Sequence, residues 1–210
     1  TRYSRVFLFY RQFMTTLVLI RHGITEWNKQ GRYCGHKDIG LSGEGRVQAA
    51  RLGRALKAFK LDKVYCSDRK RAIQTSRIIF KGTHFIIVKE LREINFGELE
   101  GLRHAEIVEE YGNVYKKWLN NPYKNNIPKA EPMSTFKKRI TNAITKIIRS
   151  NPNRTIALVC HGGVIGVFVN NILKVSDFWS CVPSAASITI VECDTRNQRL
   201  VKFNDCTHLR

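Results

Sequence analysis

Two histidines in this chain follow short apolar runs, at positions where a histidine can take part in chemistry. One run, residues 17–20, leads into Arg21 and His22, and the other, residues 157–160, leads into His161. Each run predicts a short, buried β-strand that ends in a turn. Ligands of open α/β sheets bind beyond the carboxyl ends of parallel strands. If these two strands are parallel in one sheet, both histidines and the arginine meet in one pocket.

The ends of two further predicted strands, over residues 63–66 and 85–88, bring charged groups to the same edge. Arg71 follows the first strand and Glu93 follows the second, while the amide of Gly162 stands at the start of a predicted helix. Arginine forks, helix N-termini and neutral imidazoles bind phosphate. A neutral histidine is also a nucleophile, and a carboxylic acid supplies a proton. The set predicts phosphoryl transfer through a covalent intermediate.

The elements that must position these groups alternate between strand and helix. This order predicts an α/β fold with a mostly parallel central sheet flanked by helices and an antiparallel edge. Residues 21–40, which contain four glycines, are expected to form a long loop. The predicted strands are 16–20, 63–66, 85–88 and 155–160, with a closing hairpin of 187–193 and 199–203. The predicted helices are 44–59, 69–80, 103–110, 114–119, 134–149 and 163–173.

The length of 210 residues is sufficient for one domain with a substantial core. We expect residues 14–210 to form that domain, with a helical excursion over the active site at about residues 94–133, where glycines and prolines interrupt the pattern. Residues 1–13 do not fit the pattern of this domain, and their apolar run is too short for a signal peptide. They are expected to be an N-terminal extension outside the fold, with Met14 as the natural start.

The chain is strongly basic, with 36 Lys and Arg against 17 Asp and Glu and a net charge of +19. Because the basic residues are spread over the predicted helices, a basic surface is favoured over a nucleic-acid footprint. No apolar stretch approaches the roughly 20 residues of a membrane span. We therefore expect a cytoplasmic protein that binds a small phosphorylated substrate, without nucleic acid or membrane as partner. The sequence leaves open whether the protein forms a homodimer.

Five segments, in order along residues 17–192, resemble the histidine phosphatase superfamily. They are LVLIRHGITEWN, GHKDIGLSGEG, CSDRKRAIQTS, LREINFGELEG and LVCHGG. The superfamily contains cofactor-dependent phosphoglycerate mutases and α-ribazole phosphatases, and the chain looks most similar to the branch of α-ribazole and other small phosphatases. The resemblance implies the phosphoglycerate mutase-like form of the fold predicted above.

The resemblance also implies roles for individual residues. His22 corresponds to the histidine that becomes phosphorylated. Glu93 corresponds to the acid that protonates the leaving oxygen and later takes a proton from water. In the third segment Arg71, and not Arg69, occupies the position of the phosphate-binding arginine. The residues implied to hold the phosphoryl group or substrate are Arg21, Arg71, His161 and Asn28. The amide of Gly162, at the start of the predicted helix, is expected to bind substrate with them.

The choice between phosphatase and mutase depends on how well a phosphohistidine is shielded from water. The compact excursion and the brief C-terminus favour hydrolysis, hence a metal-independent phosphomonoesterase without a cofactor. His36 and Asp38 lack the carboxylate cluster of a two-metal hydrolase. A phosphoglycerate mutase that uses a bisphosphoglycerate primer is the alternative, and a non-catalytic basic binding protein ranks below it. Trp27 and Trp118 are expected to pack in the core and not to contact substrate.

Overall fold

The computed structural model describes residues 14–194 and 197–210. Within these ranges six strands form one sheet in the order β3-β2-β4-β1-β5-β6. The first four strands are mutually parallel, while β5 is antiparallel to β1 and β6 to β5. The predicted fold class is thus confirmed. The strands are β1 (Thr15–Arg21), β2 (Lys63–Cys66), β3 (Ile86–Ile87), β4 (Thr155–Cys160), β5 (Ile188–Cys193) and β6 (Gln198–Asp205).

Helices cover both faces of the sheet. They are α1 (Glu26–Lys29), α2 (Gly43–Ala55), α3 (Lys70–Ile79), α4 (His104–Asn120), α5 (Met133–Arg149) and α6 (Gly162–Leu173). Successive residues of β1 point to opposite faces. Leu17 and Leu19 join the apolar core that contains residues of α5 and α6, while Val18 and Ile20 join the core that contains residues of α2 and α3. Burial on both faces is the reason that this strand reads as a continuous apolar run.

Three elements differ from the sequence prediction. The loop predicted over residues 21–40 contains the short helix α1, because Thr25 and Asn28 form a reciprocal capping box. The helix predicted to reach residue 59 ends as an α-helix at Ala55 and continues as a 3₁₀ turn. The two pieces predicted within the excursion form one helix, α4, with a kink at Gly112, whose φ of 29° lies outside the helical range.

The region between β3 and α5 has a small core of its own. Leu99, Ile107 and Trp118 are among its buried members. The extents of the domain and of the excursion at 94–133 stay predictions, and the extension predicted at residues 1–13 lies outside the described residues. Across the part of the chain that the structure describes, no helix combines the length and apolarity that crossing a membrane requires.

Candidate active site

The pairing of β1 with β4 brings the two histidines together. Arg21 is in register with Cys160, and the N–H of His22 donates to the carbonyl of Cys160 at 3.1 Å. Each histidine follows directly, so both rings leave the same edge of the sheet with centroids 5.2 Å apart. His22 is 4% exposed and His161 is fully buried. The parallel arrangement expected from the sequence therefore places both imidazoles in one buried site.

The side chain of Arg71 lies between the two rings. Its Nε donates to His22 Nε2 and to His161 Nδ1, both at 3.2 Å. The rest of the guanidinium donates to backbone carbonyls, among them Gly35 at 2.8 Å and Lys37 at 3.1 Å. Within the described residues, none of its hydrogen bonds goes to a carboxylate. A buried cation without an anionic partner favours the binding of an anion at this point.

The hydrogen bonds of His22 fix its tautomer. Nδ1 lies 2.7 Å from the carbonyl oxygen of Gly23, which can only accept a hydrogen bond. Nδ1 therefore carries the proton, and Nε2 has the free electron pair. Burial lowers the pKa of His22 well below 6.5, and the charges of Arg71 and Arg21 lower it further. Because the ring is neutral at physiological pH, Nε2 is a competent nucleophile.

His161 has the opposite arrangement of ring nitrogens. Nδ1 accepts from Arg71, so Nε2 carries the proton and donates to the hydroxyl of Ser67 at 2.8 Å. Burial, followed by the charge of Arg71, lowers its pKa well below 6.5. The residue also stands at the N-terminal end of α6, where the first amides lack helical partners and the helix dipole attracts anions.

Glu93 lies against the same helix end. One carboxyl oxygen accepts from the N–H of Gly163 at 2.8 Å, and the other accepts from Ile94 at 3.0 Å. Burial raises the pKa of Glu93 above 4.5, although these two hydrogen bonds and the nearby arginines oppose the shift. A Cβ at Gly163 would lie 2.3 Å from Glu93 Oε1. Glycine is therefore required for the carboxyl group to approach the helix this closely.

Arg21 completes the cationic side of the site. Its Nη1 donates to the carbonyl of Pro183, whereas its buried Nε has no partner among the described residues. A Cβ at Gly162 would lie 3.1 Å from Arg21 Nη1 and 3.0 Å from a methyl of Val182. The glycine thus lets the guanidinium lie against the start of α6, with the Nε donor left for a ligand.

Asn28 reaches the site from α1. Its Oδ1 accepts from the backbone and hydroxyl of Thr25 at 3.0 and 2.9 Å. An amide has a separate donor group, and within the described residues no partner is seen for Asn28 Nδ2. Arg69, by contrast, donates to the carbonyl of His36 and to Asp68, and among the described residues it has no hydrogen bond to His22 or His161.

A cavity of about 260 Å³ adjoins these groups. Arg21, Asn28, Glu93 and Gly162 line its polar end. A larger cavity of about 880 Å³ lies at the C-terminal ends of α2 and α3, beside the start of β2. None of the residues predicted from the strand ends lines that one. The smaller cavity is therefore the candidate substrate pocket.

Several residues at the site were not found from the sequence. Ser67 follows β2 directly, so the strand-end rule that found Arg71 could also have found it. Arg139, on α5, donates to the carbonyls of Glu90 and Arg92 at 2.6 and 3.0 Å and pairs with Glu131, so it braces the segment that carries the acid. No local pattern marks it.

Trp118 is buried in the small core, as expected, but it also lines the cavity. The expectation that it only packs was therefore incomplete. A contact with the cavity depends on how the excursion folds over the sheet edge, and nothing in the residues around Trp118 signals it.

Known proteins resemble this chain along most of its length. The model of the histidine phosphatase superfamily (branch 1) matches residues 17–206. Phosphoserine phosphatase 1 of Hydrogenobacter thermophilus is 30% identical over 200 residues, which are 93% of this chain and 95% of that protein. The adenosylcobalamin/alpha-ribazole phosphatase of Salmonella typhimurium is 31% identical over 160 residues, 75% and 79% of the two chains. The structure of phosphoserine phosphatase from Entamoeba histolytica in complex with phosphoserine has a TM-score of 0.85 and 28% identity, and the match covers 94% of this chain and 100% of that one.

These matches confirm the resemblance, the fold and the expectation of a phosphatase-type hydrolase. The names of the relatives support phosphatase activity on small metabolites. The family model covers all five segments from which the resemblance was drawn. The chain belongs to the histidine phosphatase superfamily.

Proposed function

We propose that the protein is a metal-independent phosphomonoesterase that hydrolyses a small phosphorylated metabolite through a phosphohistidine at His22. One observation carries the proposal. His22 Nε2, freed by the bond of Nδ1 to Gly23, lies 3.2 Å from the Nε of the buried Arg71. A nucleophile and a cation that attracts phosphate are thus in contact within a site that also holds a buried acid.

In the first half-reaction, His22 Nε2 attacks the phosphorus atom and the bond from phosphorus to the ester oxygen breaks. The electron pair of that bond goes to the departing oxygen, and Glu93 donates its proton there. The carbonyl of Gly23 stabilises the positive charge that develops on the ring through the Nδ1 proton. Because charge spreads over the three equatorial oxygens, positioning and cationic donors dominate catalysis.

The arginines and the second histidine supply those donors. Arg71 and Arg21 offer guanidinium N–H groups, and Asn28 Nδ2 and the amide of Gly162 add neutral ones. A bound phosphoryl dianion raises the pKa of His161 by Coulomb attraction. The ring then takes up a proton from solvent, donates to the phosphoryl group from Nδ1 while Nε2 keeps its bond to Ser67, and releases that proton when phosphate leaves.

In the second half-reaction, water attacks the phosphorus atom of phosphohistidine from the side that the alcohol has left. Glu93, now a carboxylate, accepts a proton from this water, and the bond from phosphorus to nitrogen breaks. The electron pair returns to His22 Nε2, and inorganic phosphate leaves. His22 and Glu93 both return to their starting protonation states. The cycle therefore closes with the ester and water as the only reactants.

The test is to trap the intermediate. The protein is incubated with p-nitrophenyl phosphate in the presence of a chelator, quenched in alkali because phosphohistidine is labile to acid, and mapped by mass spectrometry. We expect the phosphoryl group on the peptide that contains His22, together with steady phosphate release. His84→Asn, an exposed position outside the site, is the matched control for His22→Asn.

Three results would contradict the proposal. Turnover that stops with the chelator, or that proceeds with no trapped phosphohistidine, would overturn the mechanism. Conversion of 3-phosphoglycerate to 2-phosphoglycerate that depends on a bisphosphoglycerate primer would identify the alternative, a phosphoglycerate mutase.

A further inference from the structure

We infer that the cavity beside the phosphoryl site selects monoesters whose alcohol is apolar, an aromatic or compact aliphatic group, over esters of amino acids such as phosphoserine. This inference rests on the proposed function, since it names the substrate class of the same site. It goes against the simplest reading of the comparisons, in which phosphoserine phosphatases are prominent among the relatives.

The walls of the cavity beyond its polar end are apolar. The side chains that form them are Tyr33, Phe96, Trp118, Phe178, Trp179 and Val182. Water is expelled from such a surface when an apolar group covers it, and this gain grows with the area that is covered. The region into which the leaving alcohol extends therefore favours hydrocarbon.

The aromatic walls are held in place by bonds at their polar tips. The hydroxyl of Tyr33 lies 2.7 Å from that of Tyr115, and the indole N–H of Trp179 donates to the carbonyl of Leu119 at 2.8 Å. The rings of Trp118 and Trp179 meet edge to face with centroids 5.1 Å apart. Since the hydroxyl of Tyr33 and the indole N–H of Trp179 are already bonded to protein and the rings pack against one another, this part of the wall is preorganised for an apolar group.

The cavity has no charge to offer an ammonium group. Among the described residues that line it, Glu93 is the sole acid, and both of its oxygens accept backbone N–H groups at the phosphoryl end. Arg32 also lines the cavity, where its positive charge would repel an ammonium group; its Nη1 donates to the carbonyl of Gly101 at 2.5 Å. The amino group of phosphoserine would thus lose water without gaining a partner, which disfavours its binding.

The volume agrees with a group of the size of one ring. A dry cavity of about 150 Å³ holds benzene. The 260 Å³ available here leaves room for a ring with a short chain, next to the phosphoryl group.

The decisive measurement compares kcat/KM for three esters, namely 2-phenylethyl phosphate, ethyl phosphate and O-phospho-L-serine. All three leaving groups are aliphatic alcohols that take the proton of Glu93 as they depart, so differences in rate report mainly how the leaving group is bound. Burying one phenyl ring predicts a preference of about 10- to 100-fold for 2-phenylethyl over ethyl phosphate. We expect phosphoserine to react no faster than ethyl phosphate.

A phosphoserine value equal to or above that of 2-phenylethyl phosphate would overturn the inference and leave the proposed function intact, because phosphohistidine would still be trapped. Absence of hydrolysis and of phosphohistidine with every ester would overturn both. The two failures are therefore distinguishable.

A substitution in the aromatic wall of the cavity tests whether this wall causes the preference for 2-phenylethyl phosphate. Trp179→Ala should lower kcat/KM for 2-phenylethyl phosphate about tenfold and change that for ethyl phosphate by less than about twofold. Trp27→Phe is the control, because Trp27 is an aromatic residue that does not line the cavity. An equal loss for both esters in Trp179→Ala would show a structural role for the ring and contradict the inference.

Discussion

His22 and His161 occupy equivalent places on neighbouring parallel strands and share the same N–H of Arg71, yet their second partners differ. His22 Nδ1 faces the carbonyl of Gly23, and His161 Nε2 faces the hydroxyl of Ser67. A carbonyl only accepts, so it holds His22 in one tautomer with Nε2 as the electron-pair donor. A hydroxyl can donate or accept. In the proposed mechanism, the partner on the far side of the ring, and not the position on the sheet, therefore separates the nucleophile from the phosphate-binding histidine.

Replacing each histidine by alanine is the strongest way to break this comparison. We expect His22→Ala to form no phosphohistidine and to lose all measurable turnover, because no other group can take its place. His161→Ala should lower kcat by about 10²- to 10⁴-fold, as loss of a transition-state donor does, while phosphohistidine still forms slowly. Alkaline trapping and single-turnover kinetics measure both. Trapped phosphohistidine in His22→Ala would mean that the roles are exchanged.

The acid provides the next largest effect. Glu93→Gln should lower kcat for an alkyl phosphate by about 10²- to 10⁴-fold, the usual contribution of general acid–base catalysis. Since burial raises the pKa of Glu93, wild-type kcat/KM should fall with rising pH above 4.5 as the proton is lost, and this limb should vanish in the variant. The formation of phosphohistidine from p-nitrophenyl phosphate should suffer less, because p-nitrophenolate leaves without a proton. Equal losses with both esters would argue against an acid.

The sequence allowed the core of the fold and the polar end of the site to be predicted, and the reason is local. Buried parallel strands are short apolar runs, and their carboxyl ends are readable as the residues that follow. This is how His22, Arg71, Glu93 and His161 were found. Their roles rested on the resemblance, because spacing alone does not distinguish one histidine from the other.

The apolar end of the site could not be predicted in the same way. The cavity walls combine Tyr33 near α1, Trp118 on α4 and Trp179 after α6, which are far apart in the chain and come together only through tertiary packing. The same holds for the brace that Arg139 forms behind the Glu93 segment. Burial, which also depends on tertiary packing, is the largest cause of the lowered pKa of His22.

The two histidines should also leave a signature in stability. Both pKa values are lowered in the folded state, so below about pH 6.5 the unfolded chain binds more protons and the free energy of unfolding falls as pH decreases. Each neutral histidine contributes a slope of about 1.4 kcal/mol per pH unit. The raised pKa of Glu93 acts in the opposite sense, because above pH 4.5 the folded state holds the extra proton and stability falls as pH rises.

The contribution of each histidine to the pH dependence of the free energy of unfolding can be measured by comparing variants. Urea unfolding at a series of pH values between 4.5 and 7 should show a smaller acid destabilisation in His22→Gln and in His161→Gln than in the wild type. His84→Gln serves as the exposed control. If one of the two site variants kept the wild-type slope, that histidine would not be buried in its neutral form.

Ser67 tests the difference between the two rings most selectively, with the smallest expected effect. Ser67→Ala leaves the N–H of His161 Nε2 buried without an acceptor, which costs about 1–3 kcal/mol of folding stability. We expect kcat to fall about tenfold, because His161 is then less well positioned to bind the phosphoryl group. Nitrogen NMR of labelled histidine should show a shifted Nε2 signal at His161, which has lost its acceptor, while His22 keeps its own signals. Ser67→Thr, which retains a hydroxyl, should restore the Nε2 signal, and Ser180→Ala, at an exposed position, should change neither ring. An unchanged Nε2 signal in Ser67→Ala would show that the hydroxyl is not the acceptor, and the distinction between the two histidines would then rest on Gly23.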